Sequence, residues 1–419
     1  MFPPVFRNFP LPTILMHMVS YAHAGSTKLG GHMAGDAKAA SGEPNLQLLS
    51  QLARGLVVTF AICAAVWVVL AATVGTFVIW RPLQVSGIPL DGLIAWCVFI
   101  LASSCRLYMQ AYATFLLGTG FVAQVRRLEA INWTIGGLVS AASLAVFPNF
   151  ILAMALLQAP LFFNLVLLRR KAIVEGWQPA SAEKARDLNL RKELLPRAVR
   201  GGFGAFMSYM VIYGSALMYA QVGEGEDVAA FAFALNIFGI VSQLTLAPMF
   251  GALPTLSRLL AQRNMAAQNA LAQSAMFRGM IIYALAVPAV PVGIYVANLF
   301  LPVPLIFVDI KLWGLLAIAN FLFRYGAMHL HYYTVTNDIR WHIVDGINAT
   351  LFLSLLAAQG TMSIYAFPIC QAIALVMFYV PYARRLTWLH FGFGLRRDLA
   401  YAAGPAVFVV LSLVLLELI

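Results

Sequence analysis

Of the 419 residues, 62% are hydrophobic and only 10% charged, against about 25% charged in a soluble domain. So few polar side chains cannot cover a water-facing surface, which excludes a soluble enzyme or regulatory domain. The net charge of +11 does not call for nucleic acid, because the basic residues fall in short loops between apolar stretches and not on one patch.

In chain order, residues 11–24 are apolar but lack the small-residue cleavage pattern of a secretory signal. Spans of the length needed to cross hydrocarbon are predicted at 55–80, 92–118, 131–147, 149–168, 202–221, 228–250, 278–300, 312–334, 342–358, 362–383 and 400–418. The reading is therefore an all-α, polytopic transmembrane bundle of about eleven full spans. Cys63, Cys97, Cys105 and Cys370 lie inside spans without metal-ligand spacing and read as small buried hydrophobes.

The loops alternate in charge. Arg7, Lys28, Lys38, Arg54, Arg126, Arg127, Arg258, Arg263, Arg278, Arg340, Arg384, Arg385, Arg396, Arg397 and the nine basic residues within 169–200 share one side. The other side has Arg81 and Lys311, together with the acidic residues Glu224, Glu226 and Asp227. The positive-inside rule makes the first side cytoplasmic and places the N-terminus there, in a bacterial inner membrane. Residues 169–200 carry nine basic and four acidic side chains and read as a connector near anionic headgroups, with a helical portion at 181–191. The expected organisation is an N-terminal lobe at 1–168, the connector at 169–200, a C-terminal lobe at 201–384, and a basic loop with an extra helix at 385–419.

Residues 245–264, TLAPMFGALPTLSRLLAQRN, and 9–28, FPLPTILMHMVSYAHAGSTK, are both apolar and proline-bearing and run into a basic segment. This weak internal repeat fits two related halves. It makes 9–24 the cytoplasmic end of a helix whose beginning is absent.

Arginine at the middle of a span costs roughly 2.5–3.5 kcal/mol on insertion scales and needs an explanation. Arg106 sits in the span 92–118, with Ser103, Gln110 and Thr114 on its helical face; Arg324 sits in the span 312–334, with Asn320 and His331 on its face. A guanidinium fork matches phosphate oxygens. The other readings are ties to helix carbonyls that fix packing, and snorkelling to an interface. Tyr209, Tyr213, Tyr219, Ser208 and Ser215 suit helix packing more than sugar contacts. Pro288 and Pro291 predict a kink, and Asp345 reads as a salt-bridged or wetted residue near a span end, with cation coupling as the alternative. His329, His331 and His342 lack companions at ligand spacing, so neither a metal nor a cofactor is expected.

Residues 231–264, FAFALNIFGIVSQLTLAPMFGALPTLSRLLAQRN, resemble the eighth helix and following loop of Wzx-type polysaccharide flippases. Residues 195–221, LPRAVRGGFGAFMSYMVIYGSALMYAQ, resemble their seventh helix. That family belongs to the multidrug, oligosaccharidyl-lipid and polysaccharide exporter superfamily. The resemblance implies two pseudo-repeated lobes around a central cavity, with the first helix and most of the second missing from this chain. It makes Arg106 and Arg324 parts of the fourth and tenth helices, on facing walls of that cavity. The implied function is flipping of undecaprenyl-diphosphate-linked oligosaccharide by alternating access, with no covalent chemistry, for O-antigen, capsule or exopolysaccharide synthesis. Arg106, Arg324, Gln110, Ser103 and Asn320 are the expected substrate-binding residues. The expected partners are the lipid-linked oligosaccharide, the bilayer and other polysaccharide-assembly proteins, the chain acting as a monomer without nucleic acid. A cation-coupled multidrug exporter and a peptidoglycan-precursor flippase are alternatives within the superfamily. A membrane enzyme of polysaccharide assembly is the alternative from another class.

Overall fold

A computed structural model describes residues 10–23, 43–85, 87, 89–147, 149–178, 203–204, 206–300, 305–336, 340–360 and 363–418. All regular structure among them is helical, as it must be where no water is at hand to satisfy backbone groups. The elements are α1 (Pro10–His23), α2 (Leu46–Leu70), a π turn at Ala71–Gly75, α3 (Thr76–Val85), α4 (Pro89–Gly118), α5 (Val122–Val146) and α6 (Phe150–Val174). After these come α7 (Gly214–Tyr219), α8 (Gly225–Ala261), α9 (Met265–Asn298), α10 (Ile310–Tyr333) and α11 (Trp341–Ala358). The chain ends with α12 (Ala366–Ala374), a second π turn at Leu375–Tyr379, α13 (Val380–Phe391) and α14 (Leu395–Leu418).

Seven helices among the described residues are long and apolar enough to cross a bilayer, and a shorter apolar stretch covers Tyr401–Glu417. The eleven expected spans also included 131–147, 202–221 and 312–334. The first and last lie in long helices, α5 and α10, that give up apolar character to Arg126, Arg127 and Glu129 in one and to Lys311, Arg324, His329 and His331 in the other. The span 202–221 falls partly outside the described residues. Helix α6 runs on to Val174, into the connector expected at 169–200, whose portion from 179 to 200, with the helical stretch expected at 181–191, lies outside the described residues. Helix α9 runs from Met265 to Asn298 with Pro288 and Pro291, the residues expected to kink it, inside its length. The cysteines are free, but only Cys370 is buried, and Cys97 is exposed.

Two compact units form, Phe9–Val199 and Arg200–Ile419. In the first, α4 is the central helix, contacting α1, α2, α3, α5 and α6. Its buried side chains Ala111, Phe115 and Leu116 join Leu15, Leu56, Phe60, Leu161 and Trp177 in one core. Ser20 of α1 donates to the Gly118 carbonyl at 2.9 Å. Helices α5 and α6 are antiparallel neighbours, tied by Asn164 Nδ2 to the Leu128 carbonyl at 3.2 Å and by Ser140 Oγ to the Ala153 carbonyl at 2.8 Å. In the second unit, α10 takes the central place, against α8, α9, α12, α13 and α14. Trp313, Phe238, Tyr283 and Phe352 fill the core at one end, and Tyr332, Tyr333, Tyr379 and Leu256 at the other. The last helix, expected as an extra segment, packs on α9 and α10 inside the same unit.

Close backbone approach explains one glycine pair. A Cβ on Gly136 would lie 2.6 Å from the Leu157 carbonyl oxygen, whereas one on Gly137 would meet nothing within 4 Å. Gly136→Ala therefore pushes α5 off α6 and costs roughly 1–3 kcal/mol. Gly137→Ala instead gains up to about 1 kcal/mol of helix propensity. Thermal melting of the two purified variants in detergent checks the contrast; equal shifts would remove the close approach as the reason for Gly136.

Candidate functional site

Each unit carries one arginine on its central helix, Arg106 on α4 and Arg324 on α10. They differ in how far the fold satisfies them. The Arg106 guanidinium carbon lies 4.3 Å from the ring centroid of Trp133 on α5, a cation–π contact that strengthens as water is removed. Glu129, one turn before Trp133, acts on it electrostatically. Arg106 is thus turned toward α5, on the same helical face as Gln110, which is half-buried, and Thr114, whose buried hydroxyl has no hydrogen-bond partner among the described residues.

Ser103, expected beside Arg106 as a ligand contact, does other work. It is 1% exposed. Its hydroxyl accepts from Trp67 Nε1 at 2.7 Å and lies 2.7 Å from the Phe99 carbonyl, to which it donates. With its capacity used in holding α2 to α4, Ser103 is a packing residue and leaves the site. On α10, the Asn320 Nδ2 donates to the Leu316 carbonyl at 2.9 Å and the residue is 4% exposed. Its amide is turned into its own helix, and Asn320 leaves the site as well.

Arg324 is 8% exposed, and its Nε has no hydrogen-bond partner among the described residues. The nearest aromatic contact is its neighbour Phe323, 4.7 Å from guanidinium carbon to ring centroid. Tyr209, Tyr213, Tyr283, Tyr379, His331 and Asp345 all lie within electrostatic reach. Of these, Tyr283 donates its hydroxyl to the Ala317 carbonyl at 2.7 Å, while the buried Tyr379 hydroxyl has no partner among the described residues. The π turn before α13 is what carries Tyr379 against Gly326 of α10, where an added Cβ would come 2.6 Å from the ring. Tyr209 and Tyr213 stack at 5.8 Å. Asp345, expected to be salt-bridged or wetted, is 4% exposed and forms no ion pair among the described residues. A buried guanidinium whose Nε is unbonded, a tyrosine hydroxyl unbonded among the described residues and a carboxyl within electrostatic reach make a buried polar cluster in which hydrogen bonds remain to be made. Tyr219, by contrast, is packed edge-on against Phe231 and Phe367, as expected of a packing residue.

No protein-family profile matches the chain, and no curated protein matches it in sequence. Solved structures do match. One is described as the outward-facing conformation of a multidrug resistance MATE family transporter of the MOP superfamily; it is 14% identical, with 92% of this chain and 87% of that chain covered and a TM-score of 0.58. Another is MATE in the bent conformation, 13% identical, with 96% and 87% covered and a TM-score of 0.53. The chain has the MATE fold. At this identity the likeness fixes the arrangement of helices and leaves the chemistry to the residues.

One cluster within that fold was not readable from the sequence. Asp398, at the start of α14, is 4% exposed. Its Oδ2 accepts from the Tyr325 hydroxyl and from Arg384 Nε, both at 2.6 Å, and His329 Nε2 lies 3.2 Å from Oδ1. On the other side of its ring, His329 Nδ1 is 2.9 Å from Thr387 Oγ1. The cluster joins α10, α13 and α14, and among the described residues no group of His, Cys, Asp or Glu is placed to hold a metal. Burial works to raise the Asp398 carboxyl, but His329, the Tyr325 hydroxyl and the Arg384 guanidinium outweigh it and hold the group below its ordinary value. A carboxyl depressed on folding contributes stability that is fully present above its unfolded value, about 3.9, and is lost as pH falls through the lower folded value. Asp398→Ala is expected to lower stability by about 3 kcal/mol at neutral pH and to remove this acid-side loss. Melting curves of the wild type and variant from neutral to strongly acid pH measure both effects; parallel curves would show that Asp398 does not hold α14.

Proposed function

We propose that this chain is a membrane transporter that flips an undecaprenyl-diphosphate-linked oligosaccharide across a bacterial inner membrane by alternating access. It would serve surface-polysaccharide synthesis, with its N-terminus in the cytoplasm and the single chain as the working unit. The observation that carries the reading is Arg324, a buried, permanently charged group with a donor left over. A diphosphate supplies what that donor lacks, in the planar geometry a guanidinium fork accepts. The surrounding tyrosines suit the sugars, which offer hydroxyl partners and flat apolar faces. Asp345 balances Arg324 at a distance; a diphosphate carries more charge than one carboxylate and can compete for the guanidinium. Arg106 and Gln110 are assigned the matching role in the first unit, where Trp133 holds the guanidinium in place. The transporter-type fold supports transport over a membrane enzyme of polysaccharide assembly.

Export of cationic drugs is the second reading. It is favoured by Asp345, a buried carboxylate of the kind that a cation seeks, and by solved neighbours described as multidrug resistance transporters.

Purified protein reconstituted into vesicles separates the two. Wild-type protein is expected to move a fluorescent prenyl-diphosphate oligosaccharide between leaflets and to leave a cationic dye untouched. Removing a charged hydrogen-bond donor worth about 1.5–3 kcal/mol makes Arg324→Ala roughly tenfold or more slower. Dye transport that survives Arg324→Ala and fails in Asp345→Asn would replace the flippase with a drug exporter.

A further inference from the structure

The first unit contains a cleft that the transport reading does not use. It opens at one end of the α5–α6 hairpin and has a volume of about 430 Å³. Its floor is apolar, with Leu116, Val125, Leu128 and Leu168 from α4, α5 and α6, and Ile131 and Leu167 extend that surface along the hairpin. Its rim is polar and basic, formed by Gln124, Arg127 and Lys171.

Helix direction explains why the charges gather there. The start of α5 and the end of α6 lie at the same end of an antiparallel pair, so Arg126, Arg127, Arg169, Arg170 and Lys171 share one level. Most of this charge faces outward: Arg126, Arg127, Arg169 and Arg170 are exposed. Lys171 is fixed at the cleft, its ammonium 4.8 Å from the Phe121 ring centroid and 2.6 Å from Glu175 Oε1. Arg126 is paired with Glu129 at 2.7 Å. Arg127 forms no hydrogen bond or ion pair among the described residues, and its five donors are free at the rim. Even with Glu175 counted against Lys171, the rim is positive.

A long apolar slot with cations at one end has the charge pattern of a lipid. We infer that this cleft binds an anionic phospholipid, with the phosphodiester against Arg127 and Lys171 and an acyl chain laid along Leu128, Ile131 and Leu167. Basic pockets between transmembrane helices, at the level where positive loops meet the membrane surface, take such headgroups. A free phosphate would leave the apolar floor unused, and a zwitterionic lipid would bring its own cation to a cationic rim. The site stands apart from Arg106, which faces Trp133, and does not depend on what the protein transports.

Native mass spectrometry of the purified protein, titrated with phosphatidylglycerol or phosphatidylcholine, tests the assignment. Phosphatidylglycerol is expected to bind preferentially, and Arg127→Gln with Lys171→Gln to weaken it about thirtyfold, from roughly 1 kcal/mol per basic residue. Ile131→Trp, which fills the slot and leaves the charges intact, is expected to weaken it too. Arg127→Lys with Lys171→Arg is expected to restore it, which shows that the paired substitution acts through charge and not through unfolding. Arg278→Gln with Arg385→Gln, an exposed basic pair in the other unit, is expected to change nothing. Equal binding of the two lipids, or full phosphatidylglycerol binding in the Gln variant, overturns the inference. So does displacement of the lipid by excess inorganic phosphate, or preferential binding of undecaprenyl diphosphate, each of which assigns the cleft to a different ligand.

Discussion

Hydrocarbon supplies no hydrogen bonds, and that one deficit shapes the chain at every level. The backbone answers it by staying helical across the described residues. Side chains answer it by turning back on their own helices, as Asn320 does toward the Leu316 carbonyl, or by reaching one partner helix, as Ser140 and Asn164 do between α5 and α6. Glycine at the crossings lets backbones approach until the side chains that remain can fill the space: Gly136 sits against Leu157, and Gly279 against the Thr245 carbonyl. Where all these devices are in use, a polar group left without a partner is conspicuous.

The central helices show both outcomes. On α4, Arg106 has an aromatic face to rest on and an acidic residue within reach, while its neighbour Ser103 is fully engaged in holding Trp67. On α10, the buried Arg324 has an idle Nε donor, and the Tyr379 hydroxyl within its electrostatic reach is idle too among the described residues. On the same helix Tyr325, the next residue, donates to Asp398, and His329 brings its Nε2 to 3.2 Å from the other carboxylate oxygen. A single helix thus carries one polar cluster that ties down α14 and another that holds a buried arginine whose Nε is unbonded among the described residues. The contrast matters because both are built from the same residue types in the same surroundings.

The spans could be read because length and apolarity are local properties, and a charge inside a span stands out for the same reason. Arg106 and Arg324 were found that way. Span ends were less legible: α6 continues to Val174 and α8 to Ala261, since basic side chains can snorkel and a helix need not stop where the apolar run does. Roles that depend on long-range partners could not be read at all. Ser103 stands on the Arg106 face, yet its partner Trp67 is 36 positions away. Tyr325 and Asp398 are separated by 73 positions, too far for helical periodicity to pair them. Periodicity assigns a face to a side chain; it does not say which neighbour will occupy it.

We propose that Arg324 is kept buried and incompletely bonded because a diphosphate binds there. Equilibrium binding of undecaprenyl diphosphate and undecaprenol to the purified protein in lipid nanodiscs tests it without any transport step. The diphosphate is expected to bind at least about tenfold tighter than the alcohol, as a charge-assisted hydrogen bond of about 1.5–3 kcal/mol requires, and Arg324→Gln to remove the difference. Equal binding of the two lipids to the wild-type protein would contradict it.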